Sequence, residues 1–284
     1  MAANDDRIID ELRTAVRDNY VFADRGNAIA DAFQPDGMPT QDPAGFAETA
    51  TARLRELSSD LHLRVRHRPE GAMDSFGEEA YRDLYRREAI ANAGGVWRVT
   101  RLGDGIGLLE VAPYLSPMPM AQPYLDAAFG LLAGVERLVI DLREGRGGTP
   151  ESVAYLCGFL LGAEPVHLQD IVQRDGSAQQ FWTNPTQRRL PDDVPVAVLT
   201  SGTTFSGCEE IAYNLQSQGR ATVFGEVTGG GAHPVEVFRL TDVLEATVPV
   251  ARSVNAVTGT NWEGTGVIPD VECPASEALD RVRE

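Results

Sequence analysis

The chain has 284 residues, 43% hydrophobic and 24% charged, enough length and apolar content for one large globular domain or two small ones. Its net charge of −17 speaks against nucleic acid as a partner, since phosphate binding needs a basic face. All 25 basic residues are arginine, which excludes mechanisms built on a lysine base, a lysine Schiff base or a phosphate-loop lysine.

Ile8, Ile9, Leu12, Val16 and Tyr20 recur at helical spacing and predict an amphipathic helix over 7–20. Phe46, Ala50, Leu54 and Leu57 predict another over 44–59, with Gly, Pro and Asp filling 35–45. Residues 1–66 thus read as a small N-terminal helical domain, 67–93 as a polar linker region and 94–284 as an α/β core. In the core, strand patterns at 96–102 and 106–111 precede a helix at 121–134 and a buried strand at 137–143 that runs into a glycine turn. A helix at 150–162, a strand at 194–200 and a helix at 207–218 follow. Short strands near 222–225, 235–238 and 246–250 and a helix at 275–283 close the sequence. Strands alternating with helices predict a layered α/β fold.

No apolar run approaches the ~20 residues of a membrane span, so no membrane partner is expected. The opening residues lead into the first helix, without the pattern of a signal segment. Cys157, Cys208 and Cys273 are an odd number without metal-ligand spacing, which predicts free thiols, a cytoplasmic address and no metal centre.

Two turns could carry chemistry. Ser206, in Thr203-Thr-Phe-Ser-Gly-Cys-Glu-Glu, falls where a strand hands over to a helix. There a serine can act as a helix cap, with Glu209 completing a capping box. It can also act as a nucleophile whose oxyanion is held by free N–H groups of the first helical turn. The other turn, Asp141-Leu-Arg-Glu-Gly-Arg-Gly-Gly, ends a buried strand. Its glycines allow either an ordinary β-to-α connection or close approach of main-chain N–H groups to a reacting carbonyl.

Together these turns, with Gly225-Glu-Val-Thr and Glu263-Gly-Thr-Gly-Val-Ile-Pro-Asp270, resemble the tail-specific (C-terminal processing) protease family, most closely the branch named for the interphotoreceptor retinoid-binding protein. Asn19-Tyr-Val-Phe and Ser59-Asp-Leu-His-Leu extend the resemblance to the N-terminal helices. It implies a crotonase- or ClpP-like α/β core behind a small helical domain, and peptide-bond hydrolysis through Ser206. Many family members pair the serine with a lysine in Gly-Glu-x-Thr-x-Gly-Lys. Here Gly231 stands at the lysine position, so the base must be another group, and histidine suits neutral pH.

His62 matches the general base of the related tricorn core protease, and His233, two residues past the missing lysine, is the alternative base. His67 and His167 match no motif. Glu263 matches the carboxylate that orients the tricorn tetrad, whereas Leu61 replaces the serine that precedes its histidine. Gly207 and Gly147 or Gly148 are the candidate oxyanion donors. Cys208 reads as core, and Arg143 as a partner of Asp141 in preference to a substrate carboxylate.

The roughly 30 residues between His62 and Val96 are fewer than the ~50 that a folded domain needs, so no PDZ domain is expected there. That leaves a short peptide or a small acyl compound as the expected substrate, with no cofactor and no metal. The rival readings are a non-catalytic binder of a lipid-like or small apolar ligand, and an acyl-transferring or cyclising biosynthetic enzyme. Oligomeric state is left open.

Overall fold

The computed structural model describes residues 2–34, 37–72, 78–184 and 186–284. The chain divides into two compact units, Met1–Asp83 with Ile171–Gln179 and His233–Ser253, and Leu84–Asp170 with Gln180–Ala232 and Val254–Glu284. Elements are numbered in chain order.

The first unit holds α1 (Ala2–Asn19), α2 (Ala23–Ala32), α3 (Pro43–Ser58) and the strand β1 (Arg64–His67). Leu12, Val16, Tyr20, Phe46, Ala50 and Leu54 share one buried cluster, as their spacing predicts, together with Ile29, whereas Leu57 is exposed. The Asp42 side chain caps α3 by accepting the Ala44 N–H, and Pro43 presets the first turn. Ser59, left-handed at φ 58°, ends that helix, and the chain turns sharply into Asp60. β1 pairs antiparallel with β12 (Leu244–Pro249), which pairs in turn with β11 (Val235–Arg239). Leu63, Val65, Ala246 and Val248 bring that small sheet into the helical core. The unit is therefore not purely helical. Nothing local announces β1, because Arg64-Val-Arg-His finds its partner strand about 180 residues later.

The second unit is built on a six-stranded sheet in the order β14-β10-β9-β5-β3-β2. These are β14 (Val271–Glu272), β10 (Ala221–Gly225), β9 (Val196–Thr200), β5 (Arg137–Asp141), β3 (Ile106–Val111) and β2 (Val96–Arg101). All neighbours are parallel except the antiparallel pair β2–β3 at one edge. The central strands read as continuous apolar runs because both faces are covered. Leu138, Ile140, Val196 and Val198 face a core with α5 (Gln122–Leu131), α6 (Pro150–Gly158) and α7 (Gly207–Ser217). Val139, Ala197 and Leu199 face the opposite cluster, completed by Ala278 and Val282 of α8 (Ala278–Arg283). Two short strands, β4 (Tyr114–Leu115) and β6 (Gly147–Gly148), pair parallel outside this sheet.

The polar stretch expected at 67–93 contains α4 (Glu78–Ala91). β7 (His167–Gln173), β8 (Ala178–Trp182) and β13 (Ala251–Asn255) form a further sheet that the sequence pattern did not reveal; polar residues such as Gln169, Asp170 and Gln180 interrupt β7 and β8.

Candidate active site

Ser206 lies between β9 and α7, at the carboxyl end of a central parallel strand, where open α/β sheets bind their ligands. Its backbone sits at φ 55° and ψ −126°. An ordinary cap is extended, whereas a non-glycine residue in this region carries about 1–3 kcal/mol of strain and needs support from its surroundings. A strained strand-to-helix turn of this kind raises a serine hydroxyl clear of the sheet.

Glu209 supplies that support. It is fully buried, and its Oε2 accepts the N–H of Ser206 and that of Gly231, both at 2.8 Å. Its Oε1 accepts the Gly230 N–H at 2.7 Å and the hydroxyl of Thr228. Thr228 Oγ1 itself accepts the Val267 N–H at 2.7 Å, so its proton goes to Glu209. Burial raises the Glu209 pKa, and the bonds from Thr228, Gly231, Gly230 and Ser206 oppose that rise. Four convergent donors match the ionised carboxylate.

The glycine turn after β5 packs against the same serine. A Cβ placed on Gly147 would lie 3.6 Å from Ser206 Cβ and 3.8 Å from its Oγ, so bare main chain faces the hydroxyl. A Cβ on Gly207 would sit 2.6 Å from both the N and the O of Gly148, which excludes any side chain there. Cys208, read as core, is buried and donates its Sγ proton to Gly147 O at 3.3 Å. Burial pushes that thiol up to about 12, so it stays a protonated donor. Arg143 grips Asp141 through two nitrogens at 2.9 and 2.6 Å and donates to Ala275 O at 2.8 Å, which braces the start of the turn.

The loop after β10 is laced to the segment around Glu263. Gly264 N–H donates to Gly230 O, and the Trp262 indole donates to Gly231 O, both at 2.9 Å. Glu263 Oε2 accepts the Ala232 N–H at 2.6 Å, so this carboxylate pins the residue just before His233.

In the first unit a buried carboxylate gathers both candidate histidines. Asp60 Oδ1 accepts the main-chain N–H of His62 at 3.0 Å, and Oδ2 lies 2.8 Å from His233 Nδ1. The Tyr20 hydroxyl donates to Oδ2 at 3.1 Å, and the ring of Phe22 meets the His233 ring edge-on at 5.7 Å. Burial opposes ionisation of Asp60, but the hydrogen bond and charge of His233 outweigh it and lower its pKa. His62 is buried as well, and desolvation of its imidazolium lowers its pKa to about 4.

Residues 105–273, more than half of the chain, match the pattern of peptidase family S41. The chain belongs to peptidase family S41. It is 32% identical over 153 residues to a carboxyl-terminal-processing peptidase of Arabidopsis thaliana, a match covering 51% of this chain and 28% of that protein. The chain thus spans well under two thirds of this relative's length. The solved photosystem II D1 C-terminal processing protease is similar over 99% of this chain and 97% of its own, with a TM-score of 0.59 at 17% identity. The tricorn protease is similar over 98% of this chain and 35% of its own, with a TM-score of 0.60 at 13% identity. At such identities these structures speak to the fold alone, which is the α/β fold expected.

Within this S41 chain, Ser206, Gly147, Gly148, Gly207 and Glu263 fall in one unit, and His62 and His233 in the other. Gly231 turns its N–H to Glu209 where many family members carry a lysine. Sequence reasoning passed over Asp60 and Tyr20, and saw Glu209 only as a cap. All three stand inside the motifs that carried the resemblance, but Tyr20 and Asp60 meet each other, and Asp60 meets His233, across long stretches of sequence. His67 and His167, matched to no motif, lie in β1 and β7.

Proposed function

We propose that this S41 chain is a serine peptidase or closely related hydrolase in which Ser206 attacks the substrate carbonyl. The observation that carries the reading is the strained Ser206 turn, held by a buried carboxylate with bare glycine main chain beside its hydroxyl. Evolved proteins retain such strain where the surroundings over-determine it, and active sites are where it gathers. Main-chain N–H groups of Gly207 and of the Gly147–Gly148 turn stabilise the oxyanion.

The base is an imidazole tied to Asp60. His233 meets the requirements best, because it already shares a hydrogen bond with a carboxylate that can orient it and steady its charged form. Gly231, which precedes His233 by two residues in sequence, shares one oxygen of Glu209 with Ser206. His62, the base implied by the tricorn likeness, is the second reading. Its depressed pKa makes it a weak proton acceptor at neutral pH, since a general base works best with a pKa near the operating pH. Glu263 then serves as a positioning residue that holds Ala232.

The chemistry runs in two steps. Histidine takes the Ser206 proton as Oγ bonds the acyl carbon, then returns it to the leaving amine or alkoxide as that bond breaks. Water, deprotonated by the same histidine, releases the acid and restores Ser206. A short peptide or small acyl compound is the proposed substrate class. Ser206→Ala should abolish turnover of activated esters and peptides while leaving the melting temperature unchanged. Full activity in that variant would refute the assignment.

A further inference from the structure

Tyr114 is a large aromatic residue that stands 55% exposed on β4, directly opposite Gly147 of β6. The point at which Gly147 would carry a Cβ lies 3.4 Å from Cδ1 of the Tyr114 ring and 3.8 Å from Ser206 Oγ. Ring and hydroxyl therefore border the same side-chain-free space. The strand that presents the ring is tied down on several sides. Ala112 N–H donates to Gly95 O at 3.1 Å, Ser116 N–H to Gly94 O at 3.0 Å, and Arg146 N–H to Pro113 O at 2.6 Å. Leu115, the next residue, is buried in the core. Pinned main chain thus holds a half-exposed aromatic ring beside the Ser206 hydroxyl, where a bound substrate would meet it.

We infer that Tyr114 forms the apolar wall of the subsite for the side chain of the acyl-donating residue, and that it sets a preference for apolar over small side chains there. The inference rests on Ser206 being the nucleophile. When the acyl carbon bonds Ser206 Oγ, its α-carbon lies one bond further on. The substituent on that carbon then falls within reach of a ring bordering the same point. An apolar substituent covers the exposed ring, whereas hydrogen, in a glycyl substrate, leaves it in water. The phenol hydroxyl has no part in this contact, so phenylalanine serves as well.

The test compares kcat/KM for N-acetyl-leucine and N-acetyl-glycine p-nitrophenyl esters, with Ser206→Ala as the blank. Tyr114→Ala should lower the leucine-to-glycine ratio by about tenfold or more, as apolar contacts of this size discriminate. Tyr114→Phe should keep the ratio, and Tyr114→Leu, which restores an apolar wall without a ring, should recover most of it. Labelling of Ser206 by a small ethyl fluorophosphonate should run at the wild-type rate in all three, which separates selectivity from misfolding. An unchanged ratio in Tyr114→Ala, or equal slowing of both esters, overturns the subsite while labelling upholds the nucleophile. A wild-type protein that is not labelled at Ser206 overturns both.

Discussion

The carboxylate of Glu209 accepts the main-chain N–H of Ser206 at 2.8 Å, and this bond closes a turn that an unsupported serine would avoid. The same carboxyl group holds Thr228, Gly230 and Gly231, so one buried side chain fixes the Ser206 turn and the loop that precedes His233. Glu209→Gln keeps the shape but turns an amide NH2 towards N–H donors. Each buried donor left unmatched costs about 1–3 kcal/mol. We expect Glu209→Gln to lower both the melting temperature and the rate of Ser206 labelling by fluorophosphonate. Wild-type labelling in that variant would mean that the turn does not depend on the carboxylate.

Asp60 orients the base in this account. Asp60→Asn preserves the volume but offers His233 Nδ1 an amide in place of a carboxylate. Loss of an orienting carboxylate in a serine–histidine system costs up to about 10⁴-fold in kcat. Asp60→Asn should therefore lower kcat much more than it raises KM. A pure KM effect would assign Asp60 to substrate binding.

The two histidines separate by substitution. His233→Gln should abolish turnover, because the proposed proton acceptor is then gone. His62→Gln should keep most of kcat. The opposite pattern would hand the base to His62.

His62 should also show itself in stability. Its folded pKa of about 4 lies below the ordinary imidazole value of about 6.5. As pH falls below about 6.5 the unfolded chain takes up a proton that the folded one refuses until about 4, so stability falls with pH across that window. Glu210 acts in the opposite sense. Burial pushes its carboxyl up to about 8, so the folded chain keeps a proton that the unfolded chain releases above about 4.3, and stability falls as pH rises through that window. Glu210→Gln should be progressively more stable than wild type from about pH 5 to about pH 8. A constant difference in melting temperature would show that Glu210 titrates normally.

The central sheet was legible because burial on both faces writes continuous apolar runs such as Leu138-Val-Ile and Val196-Ala-Val-Leu. α1 and α3 of the first unit were legible from apolar spacing, although Leu57 is exposed, whereas α2, only ten residues long, was not. β1 was not, since its pairing with Leu244–Thr247 depends on chain far away. Site residues showed the same division. Ser206 and Gly147 stand in local motifs, whereas the Asp60–His233 bond joins positions 173 residues apart. The role of Glu209 was hidden for another reason: its further partners include glycine N–H groups, which leave no side-chain signature.

The measurement that bears most directly on the central claim is site-resolved labelling of the whole chain with an active-site fluorophosphonate, read by peptide mass spectrometry. One adduct is expected, on Ser206, formed at a rate that falls sharply in Asp60→Asn and in His233→Gln. A chain that stays folded and unlabelled, or that is labelled at another hydroxyl, would contradict it.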